Sequence, residues 1–492
     1  MAEIVVWQNQ KKQIIRAEAG ANLGDVLSDH GYAVAKPCGG RGFCGKCAVE
    51  VTGAVSQPND VELKAGVRLA CQTVILGDCQ VKLADVSLMQ QIETADAQET
   101  VLPLTGSGIG AAVDIGTTTL ALQLYDRATG KLLSTATAGN PQVTVAADVM
   151  GRIDAARNGR GALLRSQIET ALHDLLEKAC GEAGLEASMV DSFVIAGNTT
   201  MLYLLTGRNP DCLAHAPFKA DTLFDVDYEI LGRKAYLPSC MNAFVGADIT
   251  CAVLSSQMTE NQGPSLLCDI GTNGEIALWK DGILYVTSTA AGPAFEGAGI
   301  SCGCGSVRGA IDKVWLEGDS LCVHTIGDAP AVGLCGSGLI DTVAAFLIRE
   351  DVSETGAMSE KELTIAGNVK LTRKDIRAVQ LAKAAIAAGI QTLLETTNTT
   401  EAEITDFYIC GGFGTHLNLS SAVTIGLIPD TLAKRAKVLG NGALSGAVKM
   451  MLDCGCHGQA EELAASAKQM NLGGNPQFNE NYIDQMLFPE RE

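Results

Sequence analysis

Short apolar runs around polar breaks organise the start of the chain. IVVWQ and KQIIRAE flank the polar step Gln8-Asn9-Gln10 and predict a β-hairpin. Asn22 then stands where an N-cap belongs, before LGDVLSDH, and Gly31 is placed to stop that short helix in the left-handed region. A glycine-rich loop, KPCGGRGFCGKCAVEV, runs into a strand, and QVKLAD reads as another. From residue 109 the pattern changes. IGAAVDIGTTTLALQLYD predicts a strand, a tight turn and a second strand, after which a turn over Arg127–Gly130 leads into KLLSTATAG. The same succession returns 155 residues later as SLLCDIGTNGEIALW, the turn Asp281-Gly282 and ILYVTST. Further on, DFYICGGFGTHLN predicts a buried strand ending in glycines before a helix.

These changes of pattern divide the 492 residues. Residues 1–86 form a small β-rich domain; 87–108, with three acids and no basic residue, read as a flexible linker. Such a linker has a reach of roughly 25 Å, enough to deliver the first domain to different places. Residues 109–470 form a duplicated domain with halves 109–260 and 261–470, and 471–492 a polar tail that is either docked or disordered.

Composition narrows the function classes. The chain is 47% hydrophobic and 19% charged, ordinary globular material, with no apolar run near the roughly 20 residues that span a bilayer. Its N-terminus lacks the features of an export signal, so a cytoplasmic location is expected. The net charge of −20 lies entirely beyond residue 85, where 47 Asp/Glu face 27 Lys/Arg. An acidic surface repels phosphate backbones and anionic lipid, so neither nucleic acid nor membrane is expected as a partner. Seventeen cysteines without a secretory context favour metal ligation and buried thiols over disulfides.

Four of those cysteines make a pattern. Cys38, Cys44 and Cys47 are spaced Cys-x5-Cys-x2-Cys, and Cys71 follows after 23 further residues. Two thiolates for each iron of a [2Fe-2S] cluster fit this set, which is close to the plant-type ferredoxin rule. A four-cysteine zinc site is the alternative, though zinc usually takes two close pairs. Cys79 is the local substitute ligand, placed inside a strand where its thiol is expected to pack.

The repeated turns suggest a different chemistry. In Asp114-Ile115-Gly116-Thr117-Thr118-Thr119 and Asp269-Ile270-Gly271-Thr272-Asn273-Gly274, glycine lets amides and hydroxyls close on phosphate oxygens. Each aspartate is placed to meet Mg²⁺ through water. Two such units predict a ligand held between two halves. Gly411-Gly412-Phe413-Gly414 is then the expected adenosine loop. Asp248 in FVGADI, read as a strand end, is the candidate for orienting an attacking water, with Glu275 second. Cys302-x-Cys304 and Cys454-x-Cys456 read as accidental half-sites, and Cys268, Cys335 and Cys410 as core.

The two turns and the 411–414 loop resemble the phosphate and adenosine motifs of the acetate/sugar kinase, Hsp70 and actin superfamily. AGNTTMLYLLTG (196–207), FVGADIT (244–250), STAAGPAFEGAGIS (288–301), LCGSGLID (334–341) and VQLAKAAIAAGI (379–390) resemble the ATP-dependent reductive activators of corrinoid proteins. The resemblance implies an α+β, β-grasp ferredoxin-like domain followed by a duplicated α/β, RNase H-like domain. Its cofactors are a [2Fe-2S] cluster, ATP and Mg²⁺. Its partners are a corrinoid methyl-carrier protein and an upstream electron donor, and a homodimer is expected.

The implied reaction reduces inactive Co(II) to Co(I), with Ser301 as candidate corrinoid contact in the glycine-rich 294–306 segment. The nucleotide would shift populations rather than phosphorylate a substrate. Because the linker passes straight into the first turn, a short form without the middle domain of longer members is expected. Two alternatives compete: an ATP-dependent activator of another low-potential or radical enzyme, and a small-molecule kinase with a fused ferredoxin.

Overall fold

The computed structural model describes residues 1–8, 11–30, 32, 34, 42, 47–59, 62, 63, 68–83, 103–411 and 416–490. Its first strand, β1 (Ala2–Gln8), alternates so that Ala2, Ile4 and Val6 point inward. It pairs antiparallel with β2 (Lys11–Ala17), Ile4 opposite Ile15, as the hairpin reading requires. Asn22 caps the helix Leu23–Asp29, its side chain accepting from the Asp25 amide at 3.2 Å. With β3 (Ala48–Val55), β4 (Arg68–Leu69) and β5 (Ile75–Lys82) the sheet order is β2-β1-β5-β3-β4. The central pair β1 and β5 is parallel, Ile4 opposite Cys79. Leu23 and Leu27 of the helix pack on Ile4, Ile75 and Val81, which gives the β-grasp. Residues 84–102, most of the expected linker, lie outside the described residues.

The rest is one motif used twice. β6 (Ile109–Ile115), β7 (Thr119–Asp126) and β8 (Lys131–Gly139) are antiparallel, and β9 (Val190–Gly197) returns parallel on the other side of β6. With the hairpin β10 (Val226–Ile230) and β11 (Arg233–Leu237), the order is β10-β11-β9-β6-β7-β8. β12 (Ser265–Ile270), β13 (Gly274–Lys280) and β14 (Ile283–Thr289) repeat the antiparallel triplet. Before the second sheet resumes, the chain inserts a three-stranded sheet of β15 (Ala310–Glu317), β16 (Ser320–Thr325) and β17 (Gly333–Leu334). A hairpin, β18 (Glu362–Ala366) and β19 (Val369–Thr372), and two long helices, Gly336–Ile348 and Arg373–Thr396, follow. Then β20 (Asp406–Cys410), β21 (Ala436–Gly440) and β22 (Lys468–Gln469) complete the order β21-β20-β12-β13-β14-β22. β20 is parallel to β12, as β9 is to β6.

Two equivalent helices join the halves. Ala247–Ser256 follows β11 and Gly442–Leu452 follows β21, and they touch where a Cβ on Gly446 would lie 2.1 Å from the Cys251 carbonyl oxygen. Only glycine lets the backbones approach this closely. Asp248 therefore lies in the first turn of a helix, not at a strand end as the sequence suggested.

The C-terminal segment is docked. Its helix Pro476–Asp484 lies along Arg373–Thr396, Asn481 donating to Thr392 Oγ1 at 3.0 Å, and Phe488 beyond it is buried. The ferredoxin-like domain meets the first half through Arg160, 3.6 Å from Asp29 and 3.9 Å from Asp25. No helix among the described residues is long and apolar enough to cross a membrane.

Candidate functional site

At the cysteine end, Cys47 and Cys71 are both buried, with sulfurs 3.2 Å apart. That is well beyond a disulfide bond and suits two ligands turned toward one iron. Cys38 and Cys44 lie outside the described residues. The segment before Cys71 is fixed by Glu62. This buried carboxylate accepts from the Leu69 amide at 2.8 Å, the Asn59 amide at 2.8 Å and Arg68 Nε at 3.0 Å. Burial raises its pKa, but those donors together hold it below the ordinary value. Asn22 ties the first helix to the site by donating to the Cys71 carbonyl at 2.9 Å. Cys79 is buried in β5, where loss of solvent and then Asp78 push its thiol pKa up, as packing in a strand implies.

Between the two halves lies a cavity of about 240 Å³. Both repeated turns open onto it, because β6 and β12 end at the same interface. The first turn is braced from behind by Arg152, whose guanidinium donates to the Thr117 carbonyl at 2.5 Å, the Ala146 carbonyl at 3.0 Å and Gln142 at 3.1 Å. Asn198, the cap of the next helix, donates to Thr117 Oγ1 at 3.1 Å. Across the interface Asn441, cap of the helix Gly442–Leu452, donates to Asp114 Oδ2 at 2.8 Å. Glu296 joins both turns: one carboxylate oxygen accepts from the Thr272 amide at 3.1 Å and hydroxyl at 2.7 Å, and the other from the Thr118 hydroxyl.

Six acids line this space, Asp114, Asp248, Asp269, Glu275, Glu296 and Asp312, and the first four have raised pKa values. Burial pushes Asp114 up to about 6, with the Asn441 hydrogen bond opposing. Burial, then Asp269 and Asp114, push Asp248 up to about 7. Asp269 is likewise pushed up to about 7 by burial, then by Asp114 and Glu296. Glu275 is raised well above the ordinary range by burial, then by Asp248 and Asp269. Arg152 is pulled down to about 10 by burial, against Asp148 and Glu296. Carboxylates this crowded and dry favour any cation that enters. No group of three or more His, Cys, Asp or Glu among the described residues is arranged to ligate a metal directly. Buried aspartates such as Asp114 and Asp269 suit a Mg²⁺ that keeps several waters and arrives with phosphates.

Most of the expected nucleotide residues line the one cavity: Asp114, Gly116, Thr117, Thr118, Thr119, Asp269, Gly271, Thr272, Asn273 and Gly411, with Asp248 and Glu275. Gly411 has φ +111°, and a Cβ there would lie 2.4 Å from the Ile270 carbonyl oxygen, so the loop presses on the second turn. Gly412, Phe413 and Gly414 lie outside the described residues.

One expectation changes, and one residue lies apart from the cavity. Gly274 is not in the lining; it starts β13, where a Cβ would meet Ile386 at 2.9 Å. Ser301 lies outside the cavity, exposed, with its amide and hydroxyl held by Asp375 at 2.7 and 3.1 Å. Three residues that the sequence reading missed are Glu296, Arg152 and Asn441. The signal for Asn441 was its N-cap position; Glu296 carried only its place in a glycine-rich stretch.

Comparisons with known proteins agree with this geometry. Residues 6–76 match the model of the 2Fe-2S iron-sulfur cluster binding domain, which decides against zinc. Residues 263–492 match the C-terminal domain of RACo, the ASKHA domain. Residues 109–261 match the RACo middle region. The expected short form lacking a middle domain is thereby overturned: the half that carries Asp114 is the middle region.

The corrinoid activation enzyme RamQ of Eubacterium limosum is 32% identical over 418 residues, 77% of this chain and 70% of that protein. The [Co(II) methylated amine-specific corrinoid protein] reductase of Methanosarcina barkeri is 26% identical over 77% of each. A solved reductive activator for corrinoid, iron-sulfur protein superposes with a TM-score of 0.74 at 25% identity, covering 100% of this chain and 99% of the other. The chain belongs to the RACo family of reductive activators of corrinoid proteins.

Proposed function

We propose that this protein uses ATP to drive reduction of the Co(II) of a corrinoid-binding methyl carrier to Co(I). The observation that carries the reading is the meeting of both phosphate turns on one acid-lined cavity, in a chain that also buries a cysteine pair fit for a cluster. Cys38, Cys44, Cys47 and Cys71 would hold the [2Fe-2S] cluster, which supplies the single electron. Thr117, Thr118 and Thr272 would donate to phosphate oxygens. Asp114 and Asp269 would face Mg²⁺ through water, and Gly411 to Gly414 would border the adenosine. Asp248 would orient the attacking water: it lines the cavity with the two aspartates from the first turn of a helix, and burial, then Asp269 and Asp114, raise its pKa to about 7. Glu275 backs it.

Each turnover removes one electron from the cluster, so an upstream reductant completes the balance. Its potential need not match cobalt unaided. Each 59 mV of deficit is a factor of ten, and tight binding of one carrier state covers a few such factors. Hydrolysis then releases the complex. Ser301 on its exposed loop is the proposed corrinoid contact. A cytoplasmic site of action and a homodimer remain part of the reading, the latter open to sedimentation.

Mixed anaerobically with a reductant and its Co(II) carrier, the protein should develop the Co(I) absorption band at least about tenfold faster with Mg-ATP than without. Asp269→Ala should lose that ATP response while keeping the cluster spectrum. An equal rate with and without ATP would reject the proposal in favour of another client or a small-molecule kinase.

A further inference from the structure

Glu296 occupies an unusual place for an acid. Its carboxylate takes the Thr272 amide and hydroxyl on one oxygen and the Thr118 hydroxyl on the other. These are donors of the kind that phosphate-binding turns offer to a phosphate. One oxygen engages each half, so the side chain is a latch across the interface. It does so in the cavity that Asp114, Asp248 and Asp269 also line, the last two with pKa values raised by burial and then by neighbouring acids. A polyphosphate entering this space competes for the same donors and adds negative charge next to Glu296.

The backbone around Glu296 turns at glycines. It ends the short turn Pro293–Glu296, bounded by Gly292 (φ +79°) and Gly297 (φ +75°), with Gly299 (φ +82°) following. There is no slack beyond. A Cβ on Gly297 would lie 2.5 Å from the Cys304 carbonyl oxygen, and one on Gly303 would lie 2.1 Å from that of Gly297. Residues 296–304 are thus a closed knot, packed tightly on itself. Its exposed tip, Ser301, is tied to Asp375, a buried residue at the start of the helix Arg373–Thr396.

We propose that Glu296 is a stand-in for a nucleotide phosphate, and that its displacement by the nucleotide carries the 296–304 knot with it. The loop bearing Ser301 would then differ between nucleotide-free and nucleotide-bound protein. This supplies a physical route by which the nucleotide changes the surface offered to a partner. It rests on the nucleotide reading of the cavity.

The test uses the full-length protein with its cluster in place. Nucleotide affinity is read by fluorescence titration with a labelled ADP plus Mg²⁺, and opening of 296–304 by amide hydrogen exchange. In the parent, Mg-nucleotide should lower protection of the peptide spanning 296–304. Glu296→Ala should bind nucleotide about tenfold more tightly, with that peptide already exchanging fast and unchanged on binding. Glu296→Gln keeps the size but loses the charge, so it should shift both readouts in the same direction; it carries the test if the alanine variant fails to fold.

A parent that binds nucleotide without any change in the peptide overturns the proposal. So does a variant that binds no more tightly than the parent, which would make Glu296 a direct ligand or a spectator. A parent that binds no nucleotide brings down the nucleotide reading itself, a pattern distinct from either.

Discussion

The two halves of the nucleotide domain share the order of five strands, β11-β9-β6-β7-β8 and β21-β20-β12-β13-β14, but not a chemistry. In the first, Ile115 pairs with Leu120, leaving a four-residue turn; in the second, Ile270 pairs with Gly274, leaving three. Glu275 therefore lies directly opposite Asp269, where the first half places Ala121 opposite Asp114. The connecting helices differ in the other direction. The first half puts Asp248 into the first turn of its helix, and the second puts Ala443 at the equivalent place, after an Asn441 cap that the first half replaces with Gly246. The bracing Arg152 belongs to the first half and the bridging Glu296 to the second. Duplication supplies the frame and a shared cleft; the divergence makes the cleft directional, with a candidate base and a latch contributed from opposite sides.

The sharpest way to break this asymmetry is to remove an acid that one half has and the other lacks. Asp248→Asn should lower ATP turnover by about a hundredfold or more while nucleotide still binds, because general-base contributions have that size. Glu275→Gln should cost less, and steady-state ATPase rates of the two variants decide the order. If Asp248→Asn turns over like the parent, the directional reading of the cleft fails.

A smaller effect is expected where the halves are most alike. Gly446→Ala drives a methyl into the Cys251 carbonyl of the paired helix, and overpacking of this kind costs about 1–3 kcal/mol. Gly442→Ala meets the Ala252 Cβ at 3.0 Å and the Cys410 Cβ at 3.3 Å, looser contacts than at Gly446, and should cost less. Denaturant unfolding of the two variants measures the difference.

The smallest effect tests whether the ferredoxin-like domain favours the first half. Arg160→Ala removes ion pairs at 3.6 and 3.9 Å to partly exposed Asp29 and Asp25. Such pairs are worth less than about 1 kcal/mol, so stability and ATPase should hardly move. The rate of electron delivery should become insensitive to salt if this contact steers docking. A salt dependence equal to that of the parent would place the docking surface elsewhere.

Local chemistry was legible in the sequence. The two Asp-Ile-Gly-Thr turns and the Asn22 cap each need only a few neighbouring residues, and their backbone follows from short-range preferences; the Cys38, Cys44, Cys47 and Cys71 spacing is a pattern of residue types that the sequence alone displays. The β-grasp hairpin and the duplicated antiparallel triplets were readable for the same reason, since apolar alternation sets a strand and its face. What tertiary structure decided depends on which distant segments pack together. Asn441 reaches Asp114 across 327 positions, and Glu296 reaches Thr118 across 178. Neither pairing leaves a periodicity to detect.

The strand-end reading of Asp248 failed because FVGADI is apolar enough for a strand, while the close fit of its helix against Gly446 makes the helix the packed solution. Gly274 was grouped with the phosphate residues by its neighbours, yet the shorter second turn pulls it into β13 against Ile386. The sequence by itself determined which residue types were available for cluster and phosphate chemistry. The packing of one half on the other decided which of them share a cavity, because burial, charge repulsion and hydrogen-bond geometry act between segments that the chain order keeps apart.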